Sequence, residues 1–162
     1  MLKFLDKHLE DYILVAFMAI MSVVIFFQVI MRYVFRSSLT WSEELARYLF
    51  VWIVYFAISY AVKERKHIKI EAALYLMPKK VRPYMPIIGD IIVFVFSAFI
   101  IVTSWEIVLR QASGGQISPA MRIPMQYIYA APFVGFTLTA FRTIQVIMLR
   151  IKNLKSGVEM HD

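Results

Sequence analysis

Four long stretches without a charged residue constrain this 162-residue chain more than any other feature. They cover residues 12–31, 48–62, 91–105 and 123–141. A helix needs about 20 residues to cross the apolar layer of a bilayer. The two shorter runs reach that length when one flanking ionisable residue is included, which is Arg47 for the second run and Asp90 or Glu106 for the third. The sequence therefore predicts an all-α integral membrane protein, a single domain over residues 1–162 with transmembrane helices at about 12–34, 43–62, 84–108 and 123–148.

Two segments beside these spans place apolar residues at helical spacing between charged ones, which is typical of a short amphipathic helix lying in the membrane interface. The N-terminal segment leads into an apolar run that is too long for a signal peptide and lacks a cleavage site, so we expect it to be retained as an anchor. The other segment lies between helices two and three. The residues that set the two patterns are Leu2, Leu5, Leu9 and Tyr12, and Ile70, Ala73, Leu74 and Met77. Apolar spacing beyond Arg142 also predicts that the fourth helix continues past the membrane.

The net charge of +7 is divided unevenly between the two sides that a four-span chain defines. Thirteen Lys and Arg residues fall in the N-terminal segment, the middle loop and the C-terminal segment, and five fall on the other side. Loops rich in Lys and Arg stay in the cytoplasm. The sequence therefore predicts a bacterial inner-membrane protein with both termini cytoplasmic. Its expected charged partners are anionic lipid headgroups rather than nucleic acid.

The residues needed for common catalytic sites are missing. The chain has no cysteine, and His8, His67 and His161 all lie outside the four spans. This excludes thiolate chemistry and a haem held between two intramembrane histidines. The sequence also contains no HExxH, GxSxG or glycine-rich phosphate loop. It therefore predicts a protein that is not an enzyme and that has no cofactor and no metal site.

The densest polar cluster opens the second helix, in the segment Trp41-Ser42-Glu43-Glu44-Leu45-Ala46-Arg47. Thr40 or Ser42 is a suitable helix cap, and acidic residues suit the positive end of the helix dipole. Glu44 and Arg47 share a face at i, i+3, so one interpretation is a cap with an intrachain ion pair, for which Arg32 is a further candidate partner. The other is a contact surface for a second protein, because Trp and Arg are common interface anchors. Its candidate residues are Trp41, Glu43, Glu44, Arg47, Arg36 and Trp52.

Two acidic residues, Asp90 and Glu106, lie within the third predicted helix, where ionisable groups often serve proton or ion relays. A relay needs a series of ionisable groups across the membrane, and the middle of every span has none. Structural charge pairing is therefore the favoured interpretation. The expected partner of Asp90 is Arg142, and Glu106 is expected near Arg32, Arg47 or Arg110.

Small residues recur every four positions on two of the helices. They are Ala131, Gly135 and Thr139 on the fourth helix, and Ala57 and Ala61 on the second. Such stripes let membrane helices approach closely. They predict helix packing, either within this chain or against a partner.

These motifs resemble the small membrane subunit of tripartite ATP-independent periplasmic (TRAP) transporters, the DctQ-like family. The likeness extends over about residues 28–135. Its most specific part is the Trp41–Arg47 string with Tyr48 and Trp52, and its weaker parts are Met31–Phe35, His67–Glu71 and Ser118–Pro124 with Pro132 and Gly135. Ala57 stands where the family usually has glycine, and Glu71 where aspartate is common.

The resemblance implies a four-helix subunit without a substrate site of its own. It implies pairing with a large multi-span membrane subunit that carries substrate by a sodium-driven elevator motion. A soluble periplasmic binding protein would deliver the substrate, typically an organic acid such as a C4-dicarboxylate or sialic acid. The small subunit would stabilise the scaffold of the large subunit and help to dock the binding protein.

Two other functions stay open. A small four-helix exporter would need a carboxylate in the middle of its first span, where this chain has Gln28. A structural or assembly subunit of another inner-membrane complex fits the same composition and the same lack of catalytic residues.

Overall fold

A computed structural model describes the backbone of residues 2–63 and 85–155 and the side chains of residues 11–63 and 85–152. These residues form four helices, which are α1 (Leu2–Tyr33), α2 (Thr40–Lys63), α3 (Met85–Gly114) and α4 (Gln126–Lys155). Each helix is long and apolar enough to cross a membrane. The prediction of an all-α fold with four transmembrane helices is confirmed.

The helix ends differ from the predicted span ends. The amphipathic N-terminal segment is helical, but it forms the beginning of α1 rather than a separate helix, because α1 continues without interruption for 32 residues. α3 continues to Gly114, past the predicted end at 108. α4 continues to Lys155, as the spacing of apolar residues beyond Arg142 predicts. The interfacial helix predicted between α2 and α3 lies outside the described residues.

The four helices lie in a row whose order differs from the order of the chain. The extensive contacts join α1 to α2, α2 to α4, and α4 to α3. Aromatic side chains mark each interface. Phe17 of α1 meets Phe56 of α2 with ring centroids 6.1 Å apart. Phe136 of α4 meets Tyr55 of α2 at 6.0 Å and Phe96 of α3 at 5.7 Å. The edge helices α1 and α3 therefore each leave a broad apolar face uncovered within the described part of the chain.

The contact between α2 and α4 depends on a glycine. A Cβ atom added at Gly135 would lie 2.6 Å from the Cβ of Tyr55 and 2.9 Å from its carbonyl oxygen. Ala131 and Thr139, one turn away on either side, are fully buried. The small-residue stripe predicted on the fourth helix therefore packs within this chain.

The stripe predicted on the second helix does not form the corresponding surface. Ala57 is only half-buried and Ala61 is exposed, whereas α2 buries Phe56, Ser59 and Val62. Each residue turns a helix by about 100°, so Ala57 and Ala61 lie on the far side of α2 from Tyr55 and Ser59.

Small hydroxyl side chains fill much of the remaining core. Thr139 donates to the carbonyl of Gly135 at 2.8 Å, Thr143 to that of Thr139 at 2.8 Å, and Ser97 to that of Val93 at 2.7 Å. Each hydroxyl is satisfied by its own helix, so the helices approach closely without an unpaired polar group at these positions.

Candidate functional site

The α1–α2 and α3–α4 connections lie at the same end of the row of helices. We call this the two-loop end, and it comprises residues 34–47 and 106–125. The α3–α4 loop is closed by an antiparallel bridge between Ile117 and Pro124. Ser118 N–H donates to the carbonyl of Ile123 at 2.9 Å, and Met125 N–H donates to that of Gln116 at 2.9 Å. The loop is therefore a short hairpin of defined backbone conformation rather than an irregular link.

Glu44, one turn into α2, anchors this loop. Its Oε2 accepts hydrogen bonds from the backbone N–H groups of Ala120 at 2.9 Å and Met121 at 2.8 Å. Its Oε1 accepts a hydrogen bond from the hydroxyl of Tyr48. Glu44 is 7% exposed. A buried carboxylate is stable when it accepts several hydrogen bonds, and here the chain's own groups supply them.

This geometry corrects two expectations for the cluster. In place of the predicted ion pair with Arg47, Glu44 binds the α3–α4 loop, and it is too buried to belong to a surface that a second protein contacts. Arg47 itself is exposed. The helix already begins at Thr40, so Ser42 lies in its first turn, and the Ser42 hydroxyl donates to the Leu39 carbonyl at 2.7 Å rather than capping an N–H group.

Glu43 has a different role from its neighbour. Gln28 Nε2 of α1 donates to Glu43 Oε1 at 2.7 Å, and the Arg32 guanidinium lies 4.0 Å from the same oxygen. The Arg32 and Glu43 side chains are 63% and 49% exposed. Glu43 therefore connects α1 to α2 at the surface of the two-loop end.

The other candidate contact residues divide into exposed and packed positions. Trp41 is 45% exposed and Arg36 is exposed, with φ of 52°. Trp52 is half-buried and stacks on Phe56 with ring centroids 5.5 Å apart, so it contributes to packing beside the α1–α2 interface. The exposed candidates are Trp41, Glu43, Arg36 and Arg47.

Two residues of the α3–α4 loop were not selected from the sequence. Ile117 is 60% exposed beside the bridge. Arg122 is exposed, has φ of 53°, and its N–H donates to the Ser118 carbonyl at 3.1 Å. Arg122 could have been selected from the sequence, because it is the one charged residue between Arg110 and Arg142.

The acidic residues of α3 both form ion pairs. Asp90 Oδ2 lies 3.0 Å from Arg150 Nε, and both side chains are buried, at 8% and 13% exposure. Arg142, the partner predicted for Asp90, donates to Gln145 at 2.9 Å, and its pairing with Asp90 stays a prediction. Glu106 pairs with Arg110 at 3.8 Å on the surface, where the side chains are 61% and 81% exposed. Of the other two candidate neighbours of Glu106, Arg32 pairs with Glu43 and Arg47 is exposed.

The exposed polar groups of the two-loop end are suited to recognition of a partner rather than to catalysis. Guanidinium groups and an indole ring surround a loop that is held by a buried carboxylate. Such groups contact acidic and apolar surfaces of a partner. Within residues 11–63 and 85–152, no group of three His, Cys, Asp or Glu side chains is placed to hold a metal ion.

Comparisons with known proteins identify the family. Residues 21–153 match the DctQ component of tripartite ATP-independent periplasmic transporters. The chain is 30% identical over 152 residues to the ectoine TRAP transporter small permease protein TeaB of Halomonas elongata, covering 94% of this chain and 77% of TeaB.

Two longer relatives contain a region similar to this chain. The chain is 35% identical over 156 residues to the sialic acid TRAP transporter permease protein SiaT of Haemophilus influenzae, covering 96% of this chain and 25% of SiaT. It is 31% identical over 150 residues to the isethionate TRAP transporter permease protein DctMQ of Oleidesulfovibrio alaskensis, covering 89% of this chain and 24% of DctMQ. This chain thus spans about a quarter of the length of each. It belongs to the DctQ component family of TRAP transporters, and it is a multi-pass membrane subunit of a transporter rather than an enzyme.

Proposed function

We propose that this chain is the small membrane subunit of a sodium-driven, binding-protein-dependent TRAP transporter for an organic acid. It stabilises the scaffold of a large multi-span membrane subunit and supplies part of the surface on which a periplasmic binding protein docks. The observation that carries the proposal is the two-loop end, where Glu44 holds the α3–α4 loop through Ala120 and Met121 beside the exposed Trp41 and Arg47.

The row of helices supports a scaffold role. α3 exposes a continuous strip of apolar residues at helical spacing. The extensive contacts of α1 are with α2 alone. Such faces require lipid or protein cover. The longer relatives support a large permease as the partner, because in each of them a region similar to this chain is about a quarter of one longer permease. The strip on α3 consists of Ile92, Val95, Phe99 and Val102.

The identity of the transported solute is assigned to other subunits in this proposal. The relatives are named for ectoine, sialic acid and isethionate, although their identity to this chain is similar, at 30–35%. That range of names supports a small subunit that accompanies different solutes. An organic acid such as sialic acid or a C4-dicarboxylate is the substrate class that we propose.

The two-loop end faces the periplasm of an inner membrane in this proposal. The side of the membrane on which it lies, counted with Arg32, has five of the 18 Lys and Arg residues, and the remaining 13 belong to the opposite side. The positive-inside rule supports this orientation. The opposite, basic end would then contact anionic lipid headgroups in the cytoplasmic leaflet.

Reconstitution of the separate components tests the proposal. The chain would be placed in vesicles with its large subunit, and uptake of an organic acid would be measured with the binding protein and an inward sodium gradient. We expect uptake only when all three proteins and the gradient are present. Full-rate uptake without this chain would contradict the subunit role. Uptake by this chain alone would support the exporter alternative instead.

A further inference from the structure

A buried ion pair at the end opposite the two-loop end contains a guanidinium group whose donors are not satisfied by its partner. Arg150 Nε of α4 lies 3.0 Å from Asp90 Oδ2 of α3, and the two side chains are 13% and 8% exposed. The two atoms are in contact without the alignment of a hydrogen bond, since Arg150 Nε is buried and has no hydrogen-bond partner. Asp90 therefore balances the charge of Arg150 but leaves its N–H donors to another acceptor.

The donors of Arg150 suit an oxyanion. Within residues 11–63 and 85–152, Arg150 makes no hydrogen bond or ion pair other than the contact with Asp90. Buried polar groups are nearly always hydrogen-bonded, and a guanidinium fork binds two oxygen atoms of one phosphate in parallel. We propose that Arg150 binds the phosphate of an anionic phospholipid beside the α3–α4 contact. This inference rests on the orientation given in the proposed function and adds a specific lipid site to it.

The ion pair lies at the depth of lipid headgroups. The predicted α3 span, 84–108, is about 37 Å long and exceeds the ~30 Å hydrocarbon core, so its ends lie in the headgroup layers. The backbone of Asp90 is about 9 Å inside the start of that span, and the backbone of Arg150 is about 3 Å past the end of the α4 span at 148. Because Cα–Cβ bonds lean toward the helix N-terminus, Arg150 leans into the membrane and Asp90 leans out of it. They meet between the two levels, near the edge of the hydrocarbon core.

The residues next to the pair provide apolar surface for acyl chains. Ile91 follows Asp90 on α3 and is 48% exposed, and Ile151 follows Arg150 on α4 and is 42% exposed. A small soluble anion gains nothing from apolar side chains beside a cation. A guanidinium group with exposed apolar residues next to it on two helices instead suits an amphipathic ligand, which has a phosphate to bind the cation and hydrocarbon chains to cover the isoleucines.

The charge of this side of the chain favours an anionic headgroup over a zwitterionic one. α4 contains four basic residues and no acidic one, and all four lie between Arg142 and its end at Lys155. The whole side has 13 basic residues and eight acidic ones. A zwitterionic headgroup would bring a further positive charge into this region, whereas a headgroup with net negative charge is attracted to it. Basic sites between membrane helices on the cytoplasmic side bind anionic headgroups for this reason.

Lipid binding by the purified chain tests the inference. Native mass spectrometry of the chain from a neutral detergent would measure bound phosphatidylglycerol, with phosphatidylcholine and inorganic phosphate as the alternative ligands. We expect phosphatidylglycerol to bind about fivefold or more tightly than phosphatidylcholine, and inorganic phosphate to bind more weakly than either. Equal binding of the two lipids would overturn the choice of an anionic headgroup. Inorganic phosphate that binds as tightly as phosphatidylglycerol would overturn the choice of a lipid.

Two substitutions distinguish Arg150 from general surface charge. Arg150→Lys keeps a positive charge opposite Asp90 but lacks the planar fork, so we expect it to weaken phosphatidylglycerol binding by about fivefold or more. The matched control is Lys152→Gln, which removes an exposed positive charge about 200° around α4 from Arg150. It should change binding by less than about twofold. Weaker binding in Lys152→Gln together with wild-type binding in Arg150→Lys would overturn the site.

A third measurement uses the wild-type chain and so does not depend on the folding of a variant. Phosphatidylglycerol with a photoreactive diazirine on its headgroup would be cross-linked to the chain in bilayers, and the adducts would be mapped by peptide sequencing. We expect the adducts to concentrate in the peptides that contain Asp90 and Arg150. Adducts spread evenly over all the basic segments would overturn the inference. None of these measurements involves transport, so a failure of uptake would contradict the proposed function alone, and a failure of lipid binding would contradict this site alone.

Discussion

The Glu44 carboxylate accepts a 2.8 Å hydrogen bond from the backbone N–H of Met121, which is 77 residues further along the chain. This contact joins the beginning of α2 to the α3–α4 loop at the two-loop end. The resemblance to the DctQ-like family depends most on the Trp41–Arg47 string that contains Glu44, and the geometry shows that Glu44 has a structural role within the chain itself.

Glu44→Ala should loosen the α3–α4 loop. The substitution leaves two backbone donors and the Tyr48 hydroxyl without their acceptor. We expect amide hydrogen exchange at Ala120 and Met121 to rise by about tenfold or more and the melting temperature to fall. The control is Glu43→Ala, which removes an exposed acceptor of Gln28 and should leave both amides protected. Equal exchange in the two variants would contradict the anchoring role.

Gly135→Ala should disrupt the packing of α2 on α4. The new methyl group would lie 2.6 Å from the Cβ of Tyr55, so one of the helices has to move. Overpacking of this kind costs about 1–3 kcal/mol of stability. Gly114→Ala is the matched control, because the nearest atom to its new methyl group is 4.0 Å away. Unfolding of the purified chain in detergent measures both variants, and equal stability would show that the close contact is dispensable.

Asp90→Asn should destabilise the chain far more than Glu106→Gln. The first change leaves the buried Arg150 guanidinium without its anionic partner, and breaking a buried pair costs about 3–5 kcal/mol. The second breaks an exposed pair within one helix, worth about 0.3–0.5 kcal/mol. Thermal unfolding of the two variants checks the difference. Similar small losses would mean that water or other groups compensate for the charge of Arg150.

A reporter inserted at Gly115 should read periplasmic, and one fused after Asp162 should read cytoplasmic, because 13 of 18 basic residues belong to the side of the termini. Gly115 suits the insertion, since an added Cβ there meets no atom within 4 Å. Opposite readings would remove the proposed docking surface from the periplasm.

The transmembrane helices could be predicted because composition within one segment decides whether that segment can enter a bilayer. The continuation of α4 to Lys155 followed from apolar spacing for the same reason. The contacts between separate segments of the chain are what the sequence could not predict. The donors that bind Glu44 are backbone N–H groups, which every residue except proline has, so no sequence motif marks them.

The partner of Asp90 shows a second limit. Arg150, whose guanidinium lies 3.0 Å from Asp90, was not selected from the sequence, because it lies about 12 Å further along the helix axis than Arg142. The tilt and packing of α3 against α4 determine which residues meet, and neither can be obtained by counting residues along the sequence. The Ala57 and Ala61 stripe does not face α4, because the rotation of α2 is fixed by the contact of Tyr55 with Gly135, and packing of this stripe against a partner stays a prediction.

The row order α1–α2–α4–α3 has a consequence for biosynthesis. α4 is the last of the four helices to leave the ribosome, yet it lies between α2 and α3 and provides the extensive contacts of α3. α3 therefore enters the bilayer before its main partner exists, and α4 has to insert beside it afterwards. The Glu44 anchor also closes only at that stage, since the Ala120–Met121 turn directly precedes α4. Two of the three extensive helix interfaces can thus form only after α4 has inserted, and insertion factors would encounter α1 and α2 as the first complete pair.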